Sequence, residues 1–234
     1  MKKLTTTLIT LSMGMVMSSA VQSASSGNLS VIGTIKPATC ITTIGGVADA
    51  TFDYGKIAPS RLQQSAMTPL EVKTLPLKIQ CDGDTKLAVT AVDNKLGTNP
   101  FTTGTVNSTD AGEGPTQPAK YLYGLGSYGA AADKHIGAYS LAVSAATAKI
   151  DNVQAFMAFS GDNGAIWTET VNGQLGGDNS WRTWTAASGS KVPAQGKLFE
   201  VDLMVKPWIQ PRSALDLSSN IVLAGSATVE VYYL

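Results

Sequence analysis

Three groups of residues in this sequence have types and spacings that invite a chemical reading. Gly124-Leu125-Gly126-Ser127-Tyr128-Gly129 has the GxGxxG spacing. That spacing cradles a pyrophosphate when a strand precedes it, a helix follows it and an acidic residue stands about 20 positions on. No βαβ unit surrounds it, so the stretch reads as a glycine-rich turn. His135 is the single histidine. A general base needs a nucleophile and an orienting acid around it. No Ser-His-Asp or Cys-His setting surrounds His135, and it reads as a surface or packing residue. Cys40 and Cys81 are the only cysteines. They form either one disulfide or a metal or redox pair, and no CxxC spacing or His/Cys cluster favours the second.

Ser160-Gly161-Asp162-Asn163-Gly164-Ala165-Ile166-Trp167 fits the pattern Ser-x-Asp-x-Gly-x-x-Trp, known as the Asp box. In propellers it recurs from blade to blade, whereas here it occurs once. Physically it is a hairpin device: Asp and Asn cap the turn, Gly takes a positive φ, and Trp folds back as a plug. The competing reading is glycan contact by Trp167, Trp181 or Trp184. Asn107-Ser108-Thr109 fits a glycosylation sequon and marks an exposed loop. Carboxylate pairs have no meaning before a fold is known, so a glycosidase is left open on this ground alone. No catalytic constellation emerges. The expectation is a protein that is not an enzyme and holds no metal and no cofactor.

The amino terminus sets the compartment. Met1-Lys2-Lys3, an apolar run through Met17 and Ser18-Ser19-Ala20 form the three regions of a secretory leader, too short to span a bilayer. Residues 1–20 are expected to be removed, with a cut as late as Ala24 also compatible, leaving 21–234 as one domain. Acids and bases balance at 17 each over the full chain. Loss of Lys2 and Lys3 makes the exported chain slightly acidic, with no basic cluster to attract nucleic acid or anionic lipid. No later apolar run suits membrane insertion. In an oxidising compartment the cysteine pair is most simply a Cys40–Cys81 disulfide.

The elements that would position these residues are strands. The last eight residues, Ala227-Thr228-Val229-Glu230-Val231-Tyr232-Tyr233-Leu234, place Ala227, Val229, Val231 and Tyr233 on one face of an extended chain and Thr228, Glu230 and Tyr232 on the other. This period-two pattern is what a half-buried strand requires. A core strand at the end of the sequence has no following segment to cover its edge, and an uncovered edge invites pairing. Other strands are expected at 29–35, 51–54, 75–81, 87–92, 121–123, 135–145, 148–151, 153–159, 198–205 and 215–224. Asp82-Gly83-Asp84 is expected to turn 75–81 into 87–92 as a hairpin with Cys81 at its corner. A helical turn suits 61–68, a long exposed loop suits 97–119, and further loop regions suit 173–179 and 186–196. About ten short strands without an amphipathic helix indicate an all-β sandwich.

Some of these residues also resemble a family. Gly33-Thr34-Ile35-Lys36-Pro37-Ala38-Thr39-Cys40 resembles the opening of chaperone–usher pilins. Cys81 after Leu77-Lys78-Ile79-Gln80 is similar to the second pilin cysteine, and 227–234 resembles the pilin ending, with Tyr233 penultimate. A closer resemblance is to the fimbrial-operon group of GltF-like and YhcF-like proteins. It is carried by Gly45-Gly46, Asp53-Tyr54-Gly55, Asp93-Asn94, Gly124-Leu125-Gly126, Lys134 with Ile136-Gly137, and the terminal strand, in that order along the exported chain.

The resemblance implies an incomplete immunoglobulin-like (pilin-type) sandwich that lacks its last strand. A periplasmic pilus chaperone lends a strand to that gap, and at the outer-membrane usher the N-terminal extension of another fimbrial subunit replaces it. On this chain Ala227, Val229, Val231 and Tyr233 would line the groove, and Leu29 and Val31 would be donated. The chain is longer than a typical pilin. Ser25 and Gly27 are poor groove fillers, which suits a minor, tip or terminal subunit of a cell-surface fimbrium. Two alternatives stand beside this expectation: a tip adhesin that binds a host glycan, and a self-complete periplasmic protein of pilin-like fold.

Overall fold

A computed structural model describes residues 29–33, 38–101, 105–106, 117–118, 121–169, 173–176 and 180–234. The expected leader, the sequon and most of the loop expected at 97–119 lie outside the described residues. The chain divides into two compact units, Met1–Lys36 and Pro37–Leu234. In the first, 29–33 have no regular secondary structure, and Leu29 and Val31 are exposed.

The second unit is built from alternation. Along β3, Leu77, Ile79 and Cys81 are buried, while Lys78 and Gln80 between them are exposed. A strand that buries one face needs a second layer, and the chain supplies two antiparallel sheets. In order the strands are β1 (Cys40–Ile44), β2 (Thr68–Pro69), β3 (Lys73–Thr85), β4 (Leu87–Asp93), β5 (Thr105–Val106), β6 (Gln117–Pro118), β7 (Leu122–Gly124), β8 (Ser127–Tyr128) and β9 (Lys134–His135). They continue as β10 (Gly137–Ile150), β11 (Val153–Gln154), β12 (Phe156–Ser160), β13 (Thr168–Glu169), β14 (Trp181–Thr185), β15 (Gly196–Ile209) and β16 (Ala227–Tyr233). One sheet runs β1-β3-β15-β10-β11, with β2 also on β15 and β7 on β10. The other runs β13-β12-β14-β4-β16. The protein is therefore an all-β sandwich. The described residues contain no α-helix; short 3-10 turns lie at Pro59–Arg61 and Arg212–Ala214.

The core lies between the sheets. Leu77 and Ile79 of β3, Leu141 and Val143 of β10, and Phe199 to Val205 at alternate positions of β15 meet Leu87, Val89 and Ala91 of β4, Met157 and Trp184. Trp184 is fully buried, packs edge-on against Phe199 and donates its indole N–H to the Glu200 carbonyl at 3.1 Å. Cys40 and Cys81 are bonded to each other as directly opposite residues of β1 and β3.

Several expectations are corrected. β3 and β4 are not a hairpin. β3 runs on through Asp82-Gly83-Asp84, and the chain crosses at Lys86 into the other sheet, because both apolar faces turn toward the shared core. Residues 135–145 and 148–151 belong mainly to the single strand β10, with an irregularity between Ser144 and Lys149. β1 and β14 were not anticipated; Trp181-Arg182-Thr183-Trp184-Thr185 carried the β-favouring residue types that signal it. Residues 215–224 form no strand, and 51–54 form none either. Residues 173–176 form no named strand, and Gln174 and Leu175 are buried against β10, where the Leu175 N–H donates to the Leu141 carbonyl at 2.8 Å.

Candidate functional site

Among the described residues β16 is the edge strand of its sheet and pairs with β4 alone, from Ala227↔Asp93 to Tyr233↔Leu87. The register assigns every backbone group. The Asn94 N–H donates to the Ser226 carbonyl and the Leu234 N–H to the Lys86 carbonyl, each at 3.0 Å. Hydrogen-bonded pairs alternate in an antiparallel ladder, so residues 226, 228, 230, 232 and 234 turn their N–H and C=O groups toward β4. Residues 227, 229, 231 and 233 then turn theirs outward. No hydrogen bond from those outward groups reaches a described residue. The same four residues carry the inward-facing side chains, because their partners include Leu87, Val89 and Ala91 of the core.

Those inward faces are not fully covered. Ala227, Val229 and Val231 pack against the core yet remain partly exposed, and Tyr233 is 52% exposed. A cavity of about 280 Å³ opens beside them. One wall is Ala227 and Val229, with Leu223 and Gly225 ahead of them. The opposite wall is Ile44 and the segment carrying Phe52 and Tyr54. Tyr139, Leu141, Leu203 and Val205 form the floor between the sheets. Gly225 is required by close approach, since a Cβ there would come within 2.8 Å of the Tyr139 ring. At the other end of β16 the Cys40 N–H donates to the Tyr233 hydroxyl at 3.1 Å and ties the two sheet edges together.

The Phe52 wall explains the strand that is not there. Phe52 and Tyr54 alternate as a strand should, but residues 48–57 make no backbone–backbone hydrogen bond with any described residue. The Tyr54 hydroxyl donates to the Val205 carbonyl at 3.1 Å, and the Gly55 N–H donates to the Asp53 carboxylate at 2.7 Å. Side chains hold the segment where ladder bonds would. Strand alternation marks these residues in the sequence; nothing marked Tyr139 or Gly225.

The remaining candidate residues sit elsewhere. Trp184 is in the core and offers no surface to a sugar. Trp167 is 8% exposed, and Trp181 stacks on Tyr232 of β16 with ring centroids 4.2 Å apart. Both indoles crowd Gly164, whose added Cβ would lie 3.0 Å from Trp181 and 3.3 Å from Trp167. His135 lies opposite Ser127 across the β8–β9 ladder, 3.1 Å from its hydroxyl, and its ring makes no further hydrogen bond to a described residue. The GxGxxG stretch turns β7 into that hairpin, with Gly126 at φ 90° and Gly129 at φ 88°.

The Asp box closes the β12–β13 hairpin. The Ser160 hydroxyl donates to the Asp162 carboxylate at 2.6 Å, and the Ile166 N–H donates to the same oxygen at 2.9 Å. Asn163 and Gly164 supply positive φ at 58° and 85°. The Ser160 hydroxyl foremost, then the Ile166 N–H, hold the Asp162 carboxyl below the usual carboxylate range. A depressed folded pKa gives stability that is present above the unfolded value near 4 and is lost as pH falls through the folded value. Acidification below about pH 4 is therefore expected to loosen the hairpin and shift tryptophan emission from Trp167 and Trp181. Asp162→Asn should lack that acid step; an identical titration in the variant would refute the assignment.

Among known proteins, a family of proteins of unknown function (DUF1120) matches residues 29–140. The match takes in just under half of the 234 residues. It covers the β1 side of the groove, the Phe52 wall and Tyr139, and it stops ahead of β16. No curated protein matches the chain.

Proposed function

We propose that the protein is an exported, non-enzymatic fimbrial-like subunit that assembles by accepting a β-strand in the groove beside β16. A periplasmic pilus chaperone would fill the groove first, and a segment of a neighbouring subunit would replace it. The observation that carries this reading is the coincidence on β16 of outward-facing backbone groups and incompletely covered inward side chains at the same residues. An added strand satisfies the first by main-chain bonds and covers the second with alternate side chains. Four or five buried apolar side chains at about 1.5–3 kcal/mol each amount to roughly 10 kcal/mol gross, before ordering costs.

Leu29 and Val31 are the residues this chain would donate in turn, and their exposure is compatible with that role. Glycan binding has less support, because Trp184 is buried and Trp181 is covered by Tyr232 on one side and crowded by Gly164. The test is expression of the full chain with and without a periplasmic pilus chaperone and usher from a fimbrial system. The expected result is a 1:1 chaperone complex and a higher yield of folded protein. A stable monomer at equal yield, with no complex formed, would leave a self-complete sandwich and remove strand exchange.

A further inference from the structure

The Tyr139 side chain stands on the groove floor at the end where β16 begins. It is 6% exposed, lines the cavity, stacks on Tyr123 at 5.2 Å between centroids and lies against Gly225. Neighbouring hydroxyls are satisfied. Tyr123 donates to the Ala91 carbonyl at 3.1 Å, Tyr54 to the Val205 carbonyl at 3.1 Å, and Ser226 accepts from the Asn94 amide at 3.1 Å. The Tyr139 hydroxyl makes no hydrogen bond to a described residue. Buried hydroxyls are ordinarily paired, and one left unpaired when water is removed is costly.

We propose that Tyr139 is a specificity-determining residue of the groove, selecting an occupant strand that sets an uncharged hydrogen-bond acceptor, an Asn, Gln, Ser or Thr side chain, over its hydroxyl. This rests on the strand-accepting reading and adds a chemical preference to it. A filling strand excludes water from the floor. An aliphatic side chain above Tyr139 would then strand the hydroxyl, whereas an amide or hydroxyl oxygen would accept its proton. Burial first, and the nearby Asp93 carboxylate second, keep the phenol protonated and hence a donor. That same carboxylate disfavours an acidic side chain at this position, and closing the groove over any unpaired charge is costly. Sites built to hydrogen-bond a group discriminate against analogues that lack it.

The experiment uses the full chain and synthetic, lysine-flanked peptides of about twelve residues in alternating pattern. One peptide carries Val at all inward positions, and the others carry Asn at each inward position in turn. At one position Asn is expected to bind about five- to tenfold tighter than Val, and Tyr139→Phe should abolish that preference while still binding the all-Val peptide. Tyrosine labelled at Cζ gives a second readout. The Tyr139 resonance should shift, and its hydroxyl proton exchange slow, with the preferred peptide and not with the all-Val one. Binding with the same preferences in Tyr139→Phe, or an unchanged Tyr139 resonance in the wild type, overturns this inference and leaves strand acceptance intact. Failure of every peptide to bind overturns both.

Discussion

Replacing Val229 and Val231 together by glutamate should reduce strand capture at the β16 edge by at least about 100-fold. Both side chains face inward and pack against the core, but neither is fully covered while the groove is unfilled. In the unfilled protein the new carboxylates can reach water, so the sandwich is expected to remain folded. Filling the groove would seal them away from solvent with no cation opposite, which costs several kcal/mol per unpaired charge, and each 1.4 kcal/mol is tenfold in affinity. Thr228→Glu is the matched control. It lies on the same strand one residue away, is exposed, and faces the opposite side of the sheet. Affinity for a chaperone or peptide strand, measured with near-UV circular dichroism as the check on folding, separates the cases. Equal loss in both variants, or retained binding in the double variant, would sink the groove assignment.

The second large effect concerns the disulfide. Cys40 and Cys81 are 41 residues apart, and closing a loop of that size is worth about 4 kcal/mol on the chain-entropy model. Domains of this kind are stable by only about 5–15 kcal/mol. Replacing both cysteines by serine should therefore remove a large fraction of the stability. The loss should show as a lower urea midpoint and melting temperature, and reduced wild-type protein should behave likewise. The damage should also be local to the groove. Among the described residues β1 is an edge strand paired only with β3, and the Cys40 N–H that meets Tyr233 is next to the bond. Loosening β1 frees one wall's anchor, so peptide-strand affinity should fall along with stability. A loss under about 1 kcal/mol would show that β1 is held by its ladder alone.

What the sequence revealed and what it concealed have a common cause. Alternation is local, and it correctly placed Ala227, Val229, Val231 and Tyr233 on one face of the last strand. It also marked Phe52 and Tyr54 as strand-like, yet a strand exists only where a partner supplies the ladder, and partnership is not written in six residues. The same applies to 215–224, where Ile221 and Leu223 pack against the core from an irregular stretch leading into β16. Likewise 75–81 and 87–92 alternate equally well for a hairpin and for a crossing between layers, and only the core both must share decides between them. The tryptophans show the limit from the other side: residue type alone left a surface role for Trp184 as a competing reading, while its burial against Phe199 follows from the unanticipated strand β14. Tyr139 was invisible for the simplest reason, since a tyrosine on a buried strand is unremarkable until its neighbours' hydrogen bonds have been traced.

The parity of β16 has one more consequence. Outward backbone groups and inward side chains belong to the same residues, 227, 229, 231 and 233. A strand sliding along this edge by one residue would present its wrong face to the cavity and misalign its bonds at the same time. Sliding by two restores both. Alternative seatings of any occupant are thus quantised in steps of about 7 Å. A single-residue insertion or deletion inside an occupant segment would scramble its fit far more than a two-residue change.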